Sequence, residues 1–261
     1  MTIYHAVIHT MTEAGTIPYG FLTVENGKIT RVQAGDPDVI TEGDMDAEGS
    51  VLLPGFIDAH THLGILEDGL DFEGDDCNEC TDPFTPHLRA IDGVNPLDRC
   101  FSEALAAGVT TVMTSPGSAN PCGGTMLILK TAGHCVDEMM LEFGGIKFAL
   151  GENPKNVYHG RDEMPFTRMA TAAIIREGLY KAKRYLEQWE AVEEAEDQPD
   201  YDAKCEALLP LLRRTYKAHF HCHRADDMMT AIRIAKEFHL DAVLVHGTEG
   251  HRIPDVIQKA G

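Results

Sequence analysis

Leu53-Pro-Gly-Phe-Ile-Asp-Ala-His-Thr-His62 runs from a short apolar stretch straight into two histidines spaced two apart. Apolar residues that do not alternate with polar ones mark a strand covered on both faces, as in a parallel sheet flanked by helices. Successive side chains on a strand point to opposite sides, so His60 and His62 share one side at the strand's C-terminal end. Imidazole nitrogens there suit Zn²⁺ or a similar borderline dication. Paired so, directly after a buried run, the histidines read as metal ligands rather than as ordinary strand histidines.

Upstream, residues 1–50 have a different character. Tyr4–Met11, Gly20–Glu25 and Lys28–Gln33 alternate apolar and polar positions, and Asn26-Gly27 is the tight-turn signal of a hairpin, so a small antiparallel sheet is expected. Downstream, short β-branched or apolar runs alternate with helical periodicity. Strands are expected at Val109–Thr114, Ile146–Leu150, Ala218–His221 and Ala242–His246. Helices are expected at Pro96–Ala107 (stopped by Gly108), Thr167–Glu190, Ala203–Tyr216, Asp226–Phe238 and from Pro254. That alternation is the mark of an α/β fold.

Two further strands end in histidine: His221-Cys-His223 closes one and His246 another. In a parallel barrel the C-terminal strand ends gather on one face, where catalytic groups sit. Weaker signals surround these. Ser115-Pro-Gly-Ser-Ala-Asn120 and Cys122-Gly-Gly124 read as a loop on that face, suited either to substrate contact or to a tight turn. His159 and Arg161, in a loop after Glu152, together with His223, are candidates to meet substrate. Arg224 and Asp226 are close enough to steady an imidazole. Cys77-Asn-Glu-Cys80 is a lone CxxC in an acidic loop, and the acidic run Glu187–Asp202 is a solvated helix end and loop.

Taken together, Leu53–His62, Ala107-Gly-Val-Thr-Thr-Val112, Gly145-Ile-Lys147-Phe-Ala-Leu-Gly-Glu152-Asn-Pro, His221-Cys-His-Arg-Ala-Asp226 and Leu244-Val-His246-Gly-Thr-Glu249 resemble the amidohydrolase superfamily, in particular its imidazolonepropionase-related branch. The resemblance covers essentially the whole chain. It implies a (β/α)8 TIM-like barrel over residues 54–261, here with about six β/α units, and a small N-terminal β-sandwich portion over residues 1–53. It implies one or two divalent ions, Zn²⁺ or another, on His60, His62, His221 and His246, bridged either by a carbamylated Lys147 or by Glu152. The implied activity is hydrolysis of a carbon–nitrogen bond in an amide, cyclic amide or dipeptide-like substrate by metal-activated water. A mononuclear imidazolonepropionase- or deaminase-like enzyme and a non-catalytic metal-binding chain are the alternatives. The family's last barrel strand carries an Asp that acts as general base. Asp255 follows a proline at a helix start and does not match it, so that Asp is expected beyond Gly261, together with the remaining strands. Open sheet edges, and poor solubility or dependence on a partner, are expected to follow.

Composition narrows the class further. The 261 residues carry 22 Lys+Arg against 42 Asp+Glu, a net charge of −20. Such a chain would repel nucleic acid and anionic membranes, so the expected partner is a small molecule, with a homo-oligomer left open. No apolar run approaches the roughly 20 residues of a membrane span, and Met1–Thr10 lacks a signal-peptide pattern, so the cytoplasm is the expected compartment. Seven scattered cysteines do not form a secreted disulfide framework.

Overall fold

Asn26 and Gly27 both take positive φ, 51° and 72°, which is what a two-residue hairpin turn between right-twisted strands requires. They join β2 (Thr16–Glu25) to β3 (Lys28–Ala34), and β2 pairs antiparallel with β1 (Thr2–His9). In this computed structural model, which describes residues 1–192 and 198–261, contacts divide the chain into two units, Met1–Phe56 and Ile57–Gly261. Within the first unit, β4 (Met45–Asp46) and β5 (Val51–Leu52) both pair parallel with β1. The expected sandwich portion is therefore a single five-stranded sheet, and it is mixed rather than antiparallel. Two-residue strands carry too little alternation to be visible in the sequence.

The second unit opens with β6 (Phe56–Thr61), followed by α1 (Arg99–Ala106), β7 (Val109–Thr114) and β8 (Cys122–Lys130). Next come α2 (Val136–Met139), β9 (Met140–Ala149), α3 (Glu152–His159), α4 (Arg168–Ala191) and α5 (Ala203–Leu212). The unit ends with β10 (Ala218–Cys222), α6 (Ala225–Phe238), β11 (Ala242–His246) and α7 (Pro254–Ala260). Helix starts obey local chemistry. Asp98 caps α1 through the amide of Cys100, Thr167 caps α4 through that of Ala170, and Asp202 caps α5 through those of Lys204 and Cys205.

One six-stranded sheet results, in the order β6-β7-β8-β9-β10-β11. It is α/β, but it is not a run of parallel strand–helix units, because β8 lies antiparallel to both β7 and β9. Three sequence expectations change accordingly. Cys122–Gly124 begins a strand rather than ending a loop, β9 starts at Met140 rather than Ile146, and the stretch after Glu152 is a helix. Of the acidic run, Glu193–Asp197 lies outside the described residues.

Alternation across β9 and β10 sets the rest. Ile146, Phe148, Ala218, Phe220 and Cys222 join the core beneath α4, α5 and α6, packed on Ile175, Leu179, Leu208, Leu211, Met228 and Ile234. Phe148 and Phe220, direct cross-strand partners, stack at 5.0 Å. Each is wholly buried, worth about 1.5–3 kcal/mol against exposure. The intervening residues Lys147, His219 and His221 are turned to the sheet's other side, all buried. The helix-packed face thus holds the strands in register while the opposite face collects polar groups.

Candidate metal centre

Registered pairing puts Lys147 beside His219, Ala149 beside His221, and Cys222 beside His246. The sheet curls enough for its two terminal strands to meet at this level: the rings of His60 on β6 and His246 on β11 lie 5.3 Å apart. His60 is 5.5 Å from His62, and His221 is 4.7 Å from His246 and 4.8 Å from His223. His223 also stacks on His246 at 4.8 Å, with planes 13° apart. Five imidazoles from three strands therefore share one cleft. Among the described residues His221, His223 and His246 form a tight group, one ring nitrogen from each lying within 4.8 Å of the other two.

Burial decides the charge of these rings. It pushes His60 and His221 down to about 3, with the Lys147 ammonium and neighbouring imidazoles adding to the effect. His219, one turn of the pleat below His221, is pushed to about 4, and His62 and His246 are lowered too, again chiefly by burial. Neutral rings keep the lone pairs that a metal needs. Lys147 is wholly buried, its Nζ 3.4 Å from His60 Nε2, and burial takes its amine down to about 8.

Hydrogen bonds sort the ring nitrogens. His62 donates from Nδ1 to the Ser115 carbonyl at 2.7 Å, which leaves Nε2 free. His60 Nδ1 and both nitrogens of His221 are buried with no partner among the described residues. A buried unpaired polar group costs about 1–3 kcal/mol, so three such atoms in one cleft ask for a ligand. An all-imidazole donor set with orphaned nitrogens fits a borderline dication, and the residues present are suited to hold one. His246 has φ of 69°, a strained value for a residue with a side chain and one that recurs where structure serves a site.

Other expected site residues stand apart from the rings. Glu152 is exposed at the first position of α3 and does not belong to the tight group. His159 is exposed and packs on Phe166 at 4.7 Å. Arg161 donates to the Cys80 carbonyl at 3.0 Å, bracing the loop that carries the CxxC. The seven cysteines are free. Arg224 and Asp226 pair with each other at 2.9 and 3.0 Å instead of steadying an imidazole. That work falls to the Ser115 carbonyl for His62, in a loop expected to contact substrate or make a tight turn, and to Thr248 for His223, whose Nδ1 lies 2.7 Å from the hydroxyl. The position of Thr248, two residues after a strand-ending histidine, was the available signal. His219 was also passed over, although it stands two residues before His221 on the same side of β10.

The pattern of the Amidohydrolase family matches residues 51–259. Amidohydrolase tasK of Hapsidospora irregularis is 29% identical over 266 residues, covering 92% of this chain and 27% of that protein. An imidazolonepropionase of Streptococcus sanguinis is 40% identical over 57 residues, 20% of this chain and 14% of its own length. The crystal structure of an amidohydrolase from Thermotoga maritima superposes with a TM-score of 0.91 at 41% identity, over 99% of this chain and 67% of the other. The chain thus spans about a quarter of the first protein and about two thirds of the last.

Proposed function

The chain belongs to the amidohydrolase family, and from that premise we propose a metal-dependent hydrolase acting on a carbon–nitrogen bond of a small amide, cyclic amide or dipeptide-like molecule. The observation that carries this reading is the convergence of imidazoles from three strands on one cleft, with His60 Nδ1 and both nitrogens of His221 unpartnered among the described residues. His60, His62, His221 and His246 would hold the ion. When bound, a divalent ion supplies a Lewis acid that lowers the pKa of water from about 15.7 toward about 7 and polarises a carbonyl oxygen.

The chain's own residues do the rest. The Ser115 carbonyl fixes the His62 tautomer, with the proton on Nδ1 and the lone pair on Nε2. Burial keeps His60 and His221 unprotonated well below neutral pH. Lys147, partly deprotonated near neutrality, is the better bridging candidate: its amine abuts His60, and as a free base it can take up carbon dioxide to become an anionic oxygen donor. Glu152, exposed on α3, is the weaker one. The six strands fit six places of a TIM-like barrel whose third strand is reversed, which the TM-score of 0.91 and the approach of His60 to His246 support.

The test is a panel of N-acyl amino acids, cyclic amides and dipeptides, assayed with Zn²⁺-loaded and chelated chain. Hydrolysis that disappears on chelation and in His60→Ala, and returns with Zn²⁺ in the unmutated chain alone, is expected. Turnover that survives chelation contradicts the proposal.

A further inference from the structure

We propose that His223 is itself a metal ligand, so that β10 contributes two imidazoles where the family resemblance assigns one; this rests on the metal-dependent reading above. The sequence placed His223 with substrate. Its surroundings are those of a ligand. With His221 and His246 it completes a set of three imidazoles, each with one ring nitrogen within 4.8 Å of one nitrogen of each of the others. Zinc–nitrogen bonds of about 2.0–2.1 Å place tetrahedral ligand atoms about 3.3 Å apart, so the three rings need close by at most about 1.5 Å.

Its second nitrogen is already engaged. His223 Nδ1 lies 2.7 Å from Thr248 Oγ1; with an ion on Nε2 the ring proton sits on Nδ1 and the hydroxyl is placed to accept it, so this contact orients the ring as a ligand. Thr248 is in turn held firmly. Gly247 N donates to the Cys222 carbonyl at 3.0 Å, and Glu249 N to the His223 carbonyl at 2.9 Å. The Glu249 carboxylate accepts from Ala225 N at 2.9 Å and from Arg252 at 3.1 Å. The turn after β11 is thereby tied at both sides to the loop after β10, and the rings of His223 and His246 lie 4.8 Å apart. Thr248 is a positioning residue on this account, acting through His223 rather than on substrate.

The experiment titrates the metal-free full chain with Co²⁺, reading stoichiometry, affinity by chelator competition, and the visible absorption of bound Co²⁺. The variants are His223→Gln, Thr248→Val, Thr248→Ser and, as a reference for the metal reading itself, His221→Gln. Thr248→Val is expected to weaken Co²⁺ binding by about 10- to 100-fold, as loss of a ligand's orienting partner does, and to shift the absorption bands. Thr248→Ser, which keeps the hydroxyl, should restore both. His223→Gln should weaken binding at least as much as Thr248→Val. If His223→Gln keeps the wild-type affinity and spectrum while His221→Gln loses them, the ligand assignment is overturned and the metal reading stands. A wild-type chain that takes up no Co²⁺ overturns both. Should His223→Gln fail to fold, equal affinities for the two Thr248 variants overturn the assignment.

Discussion

Lys147 shows what a single buried amine can do. It has no exposure, its one hydrogen-bond partner among the described residues is an imidazole nitrogen, and burial alone draws its pKa to about 8. Bicarbonate carrying an isotopic carbon label should therefore give a carbamate resonance in the metal-loaded chain and none in Lys147→Met; a resonance in the variant, or none in either, contradicts the bridging role. The histidines make a second prediction, about pH. His60 and His221 have folded pKa values of about 3, against 6.5 when freely solvated. Between those limits the unfolded chain binds protons that the folded chain does not, so stability is full above about 6.5 and declines as pH falls toward 3. The denaturation midpoint of the metal-free chain should be lower at about pH 5 than at about pH 7.5. A midpoint that rises on acidification contradicts the burial of neutral imidazoles.

Elements differ in how openly their residues announce them. α1, α4, α5 and α6 were legible because their apolar positions recur at helical spacing; in the structure Asp98, Thr167 and Asp202 cap the first three. β8 was not. Cys122-Gly-Gly124 reads as a turn, yet the glycines serve close backbone approach inside a strand. Gly124 has φ of 120°, and a Cβ there would collide with the Leu88 carbonyl oxygen, which also accepts from Thr125 N at 2.8 Å. Gly124→Ala should consequently cost about 2–4 kcal/mol, visible as a lowered denaturant midpoint with an unchanged slope. A neutral effect would show that the Arg89–Thr125 bridge does not hold this strand in place. α3 was missed for a related reason: Pro154 looks like a breaker, but in the first turn of a helix it costs no hydrogen bond.

At the scale of the molecule, the decisive feature is curvature, which no local pattern encodes. Strand-ending histidines at 60–62, 221–223 and 246 were readable one by one, and their common position at strand ends suggested a common face. That His60 and His246 stand 5.3 Å apart although β6 and β11 lie at opposite ends of the sheet order is a property of the whole second unit. The same tertiary geometry decides which polar residues turn away from the helices on β9 and β10, and hence that Lys147 joins the rings while Glu152 does not belong to their tight group. The central claim is that the curled sheet delivers histidines from β6, β10 and β11 to one metal centre. Its most direct test is an anomalous-scattering map at the zinc edge, from crystals of the full chain grown with Zn²⁺. The account predicts a peak about 2.0–2.1 Å from imidazole nitrogens of both His221 and His246, with His60 and His62 lining the same density. A map whose zinc peaks all lie away from these histidines would contradict it.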